Sequence, residues 1–554
     1  MAHPFEIPEI LCLICEQAQR SDLARLLTLS RLFFECAMPF VWKNLPVSAP
    51  MILLRLLPDS DRYLNTNLGT TLVETLLESL RPLDSQSLTR FNLYAPFVKR
   101  IVRHHRNKQS NVAWNRLLNL VDVRPILPNL EALGVSLAAD NQFSPCQGFI
   151  PCLKAYLSPT LVEIDNTRAT DAYLYMEPLT LARLLSGIAQ ECPHLSTLKL
   201  QSATGRPYIE EIHGSDELAR SLGKFCDLRV VRLGLAALDP KVIVVLASLP
   251  NLESLSLNES SLPGTMPGSD EDLDPLSISL PPGSFPALQH LGIYVHYGFE
   301  IAYDIWGITG LVRGLTSVSV HALDNCPRTQ LCELIRAISQ SSPWVTSLHI
   351  ECTRAPEIAL LSDEIVDCLA LLPLQHLRLS GKDTADRWDY YGGELLALAL
   401  PKLESLQIRG YSFSFTNLTH MAKYMPWLRT LSIPVRANMD WPLAHELHML
   451  MLAPSPSRLE LQFLSCNFAT CFPAVAGFEN PDEAVEAVAA GLHELWPKGV
   501  TCGTYRKTNN GLGINWMDRI NAELKRLREA HSSPQTEVPR ICSRKRGPPW
   551  VEGA

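Results

Sequence analysis

Cys12-x-x-Cys15 is the arrangement in this 554-residue chain that comes nearest to a metal or redox motif. A zinc site needs a second ligand pair at a matching spacing, and the flanking residues offer none. Thioredoxin-like exchange needs a strand ahead of the pair, whereas these cysteines sit in a helical pattern. They read as small core hydrophobes. The other cysteines are scattered, several on apolar faces such as Cys332, Cys368 and Cys466, as in a reducing compartment. The acidic group Asp270, Glu271, Asp272 and Asp274 lacks the glycine and distal glutamate of an EF-hand loop and reads as a solvated loop. His104-His105 lies in a basic stretch from Lys99 to Lys108 that reads as a solvated helix face. There is no Gly-x4-Gly-Lys-Ser/Thr run, no Gly-x-Ser-x-Gly elbow and no His-Glu-x-x-His, and Gly511-Leu-Gly513 is not followed by a third glycine. No catalytic residue, metal ligand or cofactor is expected, and the chain reads as a binding protein rather than an enzyme.

Composition narrows the class further. Hydrophobic residues make up 46% and charged residues 19%, enough apolar material for a large core. The formal net charge of −8 gives no support for binding nucleic acid or an anionic membrane through the whole protein. Glu6, Pro8 and Glu9 interrupt the apolar residues near the start, which excludes a secretory signal there. The longest apolar run, Val242–Leu249, is far short of the ~20 residues needed to cross a bilayer. A soluble protein of the cytoplasm, the nucleus or both is expected. Arg544-Lys545-Arg546 is a short basic group of the nuclear-signal kind. Leucine accounts for 91 residues, well above ordinary usage, and points to the architecture.

The first forty residues carry helical spacing. Ile7, Ile10, Leu11 and Ile14 recur three and four apart after a Pro8 suited to a first turn. Ser21-Asp22 can cap a second helix bearing Leu23, Leu26, Leu27 and Leu29. A third apolar segment, Phe33–Phe40, leads to Trp42. Three short helices cannot bury this much apolar surface among themselves, so a partner or an adjoining domain is expected to cover some of it.

This segment resembles an F-box. Ile7-Pro8-Glu9-Ile10-Leu11 stands where that family has its Leu-Pro-x-Glu-Ile-Leu start, and Ser21-Asp22-Leu23 matches the opening of the family's second helix. Leu29-Ser30-Arg31 and Trp42 match its later positions. Downstream, Arg90-Phe91-x-x-Tyr94-Ala95 and Val98-Lys99-Arg100 are similar to a segment that follows the F-box in many fungal F-box proteins with leucine-rich repeats. The departures are Ile7 for the usual leucine and a shortened stretch between the first two helices.

The rest of the chain repeats. Pro-x-Leu-x-x-Leu-x-aliphatic begins at Pro128, Pro193, Pro250, Pro286, Pro401 and Pro426, and at Pro343 with Val345 in the first slot. That is seven copies where this composition predicts roughly one. Four of the gaps between successive prolines are 57–65 residues, about twice a leucine-rich period of ~20–29. Each holds a degenerate copy near its middle: Leu161/Ile164, Leu228/Val231/Leu233, Leu315/Val318/Val320 and Leu374/Leu377/Leu379. A last weak copy is Leu459/Leu461. Helical patterns lie between the copies, at Thr180–Cys192, Ser215–Phe225, Thr329–Ser341, Asp363–Leu372, Thr416–Tyr424 and Trp441–Leu452, and Asp239-Pro240 is a helix start. An inserted loop rich in Gly, Pro, Ser and acid falls between Leu257 and Pro286.

The expected fold is therefore α/β. An N-terminal three-helix F-box precedes an irregular leucine-rich-repeat solenoid with a parallel concave sheet and convex helices. The expected divisions are 4–45 for the F-box, 46–124 for a helical linker and solenoid N-terminal cap, and 125–465 for the repeats. Residues 466–531 should form C-terminal cap helices, at Asp482–Trp496 and Trp516–His531, and 532–554 a disordered tail.

The resemblance implies a function: the substrate-recognition subunit of a Skp–cullin–F-box ubiquitin ligase. Its F-box would dock on a Skp-type adaptor, and through it on a cullin–RING core, using Ile7, Pro8, Ile10, Leu11, Ile14, Leu23, Leu26 and Leu27. The alternative is a leucine-rich-repeat interaction scaffold without a ligase role. Alternation along each strand places the residue between the two core aliphatics on the concave face. That slot holds Lys199, Arg232, Ser256, Gly292, Ser319, His349, Arg378, Gln407, Ser432 and Glu460; the slots flanking it add Gln201, Tyr294, His321, Glu351, Ser380 and Arg409. Lys199, Arg232, His349, Arg378 and Gln407 are the expected substrate contacts. A basic row of this kind favours an acidic or phosphorylated protein substrate.

Overall fold

The computed structural model describes residues 7–60 (without 47), 87–101, 124–134, 153–165, 178–200, 215–259, 278–295, 299–322, 327–352, 361–381, 392–409, 411–433, parts of 441–455, 461–465, 481–503 and 512–532, with isolated residues between them. The acidic group at 270–274, His104-His105, Cys466, Gln201, Glu460 and the tail beyond 532 lie outside the described residues. The chain divides into two compact units. One comprises Met1–Ile358 with Leu371–Pro373, the other Ala359–Ala370 with Leu374–Ala554.

The first unit opens with three helices: α1 (Pro8–Gln17), α2 (Arg20–Leu26) and α3 (Arg31–Lys43). Pro8 occupies the first turn of α1, where a missing N–H costs nothing. α2 begins ahead of the expected Ser21-Asp22 cap, at a Gln19 N-cap whose side chain makes no capping bond. Ser30 caps α3, its Oγ accepting the Phe33 N–H at 3.3 Å. Leu11, Cys15, Leu23, Cys36 and Ala37 form the buried centre, with Leu26, Leu27, Phe33 and Phe40 packed around it. Burial, with a hydrogen bond to Cys12, pushes the Cys36 thiol up to about 11, and burial raises Cys15 as well. At neutral pH these sulfurs are thiols, not the thiolates that metal binding or exchange requires.

α3 runs into the strand Asn44–Leu45, which pairs parallel with Arg100–Ile101. That strand pairs with Ala132–Gly134. The parallel ladder thus starts at residue 44, well ahead of the first proline-marked repeat. It continues through Glu163–Asp165, Thr197–Lys199, Val230–Gly234, Ser254–Asn258, His290–Val295, Ser317–Ala322 and Ser347–Cys352, all in chain order and all parallel.

The proline marks act at a fixed distance. Pro128, Pro193, Pro250, Pro286 and Pro343 each stand four residues before a strand begins. The aliphatic two residues after the proline, such as Leu195, Leu252 or Val345, is buried beneath the turn. At the start of a strand one carbonyl of the preceding repeat accepts two successive N–H groups; Thr316 O, for example, takes those of Thr346 and Ser347 at 2.9 and 3.1 Å. The degenerate copies lack the proline yet form strands in the same ladder, because the buried aliphatic pair is retained. Helices Pro178–Glu191, Ser215–Leu222 and Pro240–Ser248 pack one on the next between strands, as do Glu300–Gly307 and Arg328–Ser341. Asp239 caps the third of these, its carboxylate accepting the Lys241 N–H at 2.9 Å.

The second unit repeats the pattern with parallel strands His376–Ser380, Ser405–Arg409, Thr430–Ser432, Leu461–Ser465 and Val500–Gly503. Pro401 and Pro426 again precede their strands by four residues. Helices Asp363–Leu369, Gly393–Ala399 and Phe415–Tyr424 stack in order. Among the described residues of Trp441–Leu452 the expected helix is not found. A 3-10 turn at Leu447–Met449 stands there instead, with the Glu446 carboxylate taking the Leu443 N–H and Trp441 buried so that its Nε1 donates to Ala487 O.

Pro481–Leu495 and Leu512–Ser532 are helices packed on one another, overlapping the spans Asp482–Trp496 and Trp516–His531 expected to be helical. Asn521 ties the second to the last strand, accepting from Cys502 N and donating to Cys502 O. His493 is buried in this contact against His531. Burial pulls its protonation below the ordinary imidazole value, His531 and Arg528 add to the effect, and Glu494 opposes it. The unfolded chain then binds a proton more readily than the folded one, so this contact loses stability as pH falls below about 6.5. Replacing His493 by Gln is expected to flatten that acid-side slope in pH-dependent urea unfolding; an unchanged slope would show that His493 is not its source.

Candidate functional site

Two surfaces stand out, one on the N-terminal helices and one on the open face of the strands. On α1 the face opposite Leu11 and Cys15 carries Ile10, Leu13 and Ile14, which are 37%, 64% and 40% exposed. Their spacing of three and four aligns them on one side of the helix, and Pro8 in its first turn is exposed as well. Of the residues expected on this surface, Leu11 and Leu23 instead pack into the helical core, and Leu26, Leu27 and Ile7 are half-buried. Leu13 was not among the expected residues. The signal was present, because it lies three residues after Ile10.

The downstream Arg90–Arg100 segment packs beside this unit. Trp42 stacks on Tyr94 with ring centroids 4.6 Å apart, and the Lys99 N–H donates to Lys43 O at 2.9 Å. Phe91, Ala95 and Val98 are buried. The N-terminal helices and the Arg90–Arg100 segment are therefore neighbours in space.

On the strands, alternate residues face away from the core, as the motif predicts. Lys199 is engaged by the buried Asp165 carboxylate at 3.2 Å. Arg232 lies over the Tyr294 ring at 3.8 Å, and its Nε donates to Asn258 Oδ1 at 3.1 Å. Arg378 and Gln407 are direct partners on neighbouring strands of the second unit, and the buried Arg378 Nε has no hydrogen-bond partner among the described residues. The basic row is thus partly answered from within: Lys199 is already paired.

Between the first-unit strands Ser317–Ala322 and Ser347–Cys352, register sets His321 directly opposite Glu351 and Ser319 opposite His349. His321 Nδ1 lies 3.1 Å from Glu351 Oε2, and His349 Nε2 lies 3.7 Å from the same oxygen. The imidazoles meet edge to face at 4.6 Å. Ser319 Oγ is 3.2 Å from His321 Nε2, and Tyr294 stacks flat on the His321 ring at 4.4 Å. One ligand atom from each of His321, His349 and Glu351 can be chosen so that all three lie within 4.8 Å of one another. No metal ligand was expected from the sequence, and these three residues were not grouped there. His349 was expected as a substrate contact; its grouping with His321 and Glu351 was not.

No helix among the described residues is long and apolar enough to cross a membrane. No protein-family model matches the chain, and no curated protein sequence matches it. Among solved structures it is similar to the crystal structure of the TLR13–ssRNA13 complex, at 15% identity with a TM-score of 0.30, over 74% of this chain and 44% of that one. The chain spans less than half the length of that protein. The strand-and-helix repeats themselves make the fold α/β of the leucine-rich-repeat type.

Proposed function

We propose that this chain is a substrate receptor of a Skp–cullin–F-box ubiquitin ligase. The helices α1–α3 hold the Skp-type adaptor and the repeats hold a protein substrate, acidic or phosphorylated, against the open strand face. The chain contributes no reacting side chain. It accelerates ubiquitin transfer by keeping the substrate near the charged conjugating enzyme, an effect of proximity and orientation. The supporting observation is the exposed Ile10–Leu13–Ile14 row on a helix whose other side closes the three-helix core. Apolar side chains in a row on a small helical unit fit docking rather than folding. On the substrate side the contacts are Arg232 in the first unit and Arg378 and Gln407 in the second, with Arg378 the strongest candidate for an anion, while His349 is taken up by its grouping with His321 and Glu351.

The test is capture of a purified Skp-type adaptor by the intact chain. Retention of one adaptor per chain is the expected result, and an intact chain that retains none contradicts the proposal. Removing residues 1–50 is a poor control, because it also removes Asn44–Leu45, the strand that pairs with Arg100–Ile101.

A further inference from the structure

We propose that His321, His349 and Glu351 form a binding site for a divalent transition metal of the zinc class. The proposal does not depend on the ligase reading. Two imidazoles and one carboxylate are the donor set that suits Zn²⁺, and three protein ligands leave one position open. Bond lengths of about 2.0–2.1 Å in a tetrahedral site put donor atoms roughly 3.3 Å apart. The two imidazole–carboxylate separations, 3.1 and 3.7 Å, bracket that value, and the ligand atoms of all three residues lie within 4.8 Å of one another, so the imidazoles need only draw together to close on an ion.

The backbone supplies the placement. His349 and Glu351 are two apart on one strand and so share a face, and His321 reaches the same point from the adjacent strand in register with Glu351. The surroundings are those of a ligand rather than of a bare ion pair. With Nδ1 directed at the metal, His321 can donate its Nε2 proton to Ser319 Oγ, 3.2 Å away, the outer hydrogen bond that fixes tautomer and ring orientation in metal sites. Tyr294 clamps the same ring by flat stacking. The three side chains are only 20–28% exposed, so water competes weakly for them. A hard cation such as Mg²⁺ or Ca²⁺ is disfavoured, since it demands six or more ligands, mostly oxygen.

The experiment is titration of the full-length protein with Zn²⁺ against a chromophoric chelator, in excess Mg²⁺, with Co²⁺ absorption as a second probe. One equivalent should bind, with a Co²⁺ spectrum free of a thiolate charge-transfer band, which separates this site from the chain's cysteines. Glu351→Gln and His349→Gln keep side-chain bulk and should weaken binding by about 100-fold or more, beyond the 10–100-fold typical of outer-shell changes. Zn²⁺ should raise the melting temperature of the native protein and not that of the variants. The proposal is overturned if the native protein binds no Zn²⁺, if Mg²⁺ displaces it, if both variants bind it unchanged, or if the bound Co²⁺ is ligated by thiolate.

Discussion

Leu406→Asp should unfold the second unit under conditions in which Gln407→Asp, one residue further on, leaves it intact. Leu406 is fully buried in the strand Ser405–Arg409 and stands in register between Leu377 and Leu431 on the neighbouring strands. Truncating a buried leucine costs about 2–5 kcal/mol even without a charge. An unpaired carboxylate there adds several kcal/mol, against a total stability of about 5–15 kcal/mol for a domain. Gln407 faces the open side between Arg378 and Ser432, where a surface change is worth about 0.5 kcal/mol or less. Urea unfolding followed by circular dichroism separates the two variants. Equal midpoints would mean that the alternation assigned to these strands is wrong, and every face assignment along the repeats with it.

The strands were legible because proline and paired aliphatics specify them locally. Pro343 ends a helix, Val345 anchors the turn, and Leu348 and Ile350 face inward, all within eight residues. Helix positions were legible for the same reason: the period of apolar residues gave Arg328–Ser341 and Phe415–Tyr424 to within a residue of the expected ends. Trp441–Leu452 misled because its apolar residues serve other contacts. Trp441 belongs to the Pro481–Leu495 helix through its bond to Ala487 O, which no local spacing reveals. On α1, apolar residues occur on every side, so spacing alone could not decide that Leu11 turns inward while Leu13 turns outward. The His321–His349–Glu351 group was hidden for a different reason. His321 and Glu351 are thirty residues apart, and only strand register brings them opposite each other.

A double substitution on α1 should have the largest effect on binding. Ile10 and Ile14 are each partly exposed, so changing both to Asp removes apolar surface from the docking face without entering the core. Each side chain of this size is worth ~1.5–3 kcal/mol when buried at an interface, and losing two weakens affinity by a factor of hundreds or more. Thermal stability should hardly change, in contrast to Leu11→Asp, which places a charge in the closed centre of the three helices and should disrupt them.

Isothermal titration of a purified Skp-type adaptor into the full chain and into the Ile10→Asp/Ile14→Asp chain tests the central claim directly. The account predicts one-to-one binding by the native chain, weakened by a factor of hundreds in a variant whose melting curve matches. Binding of equal strength by both chains, or none by either, would contradict it.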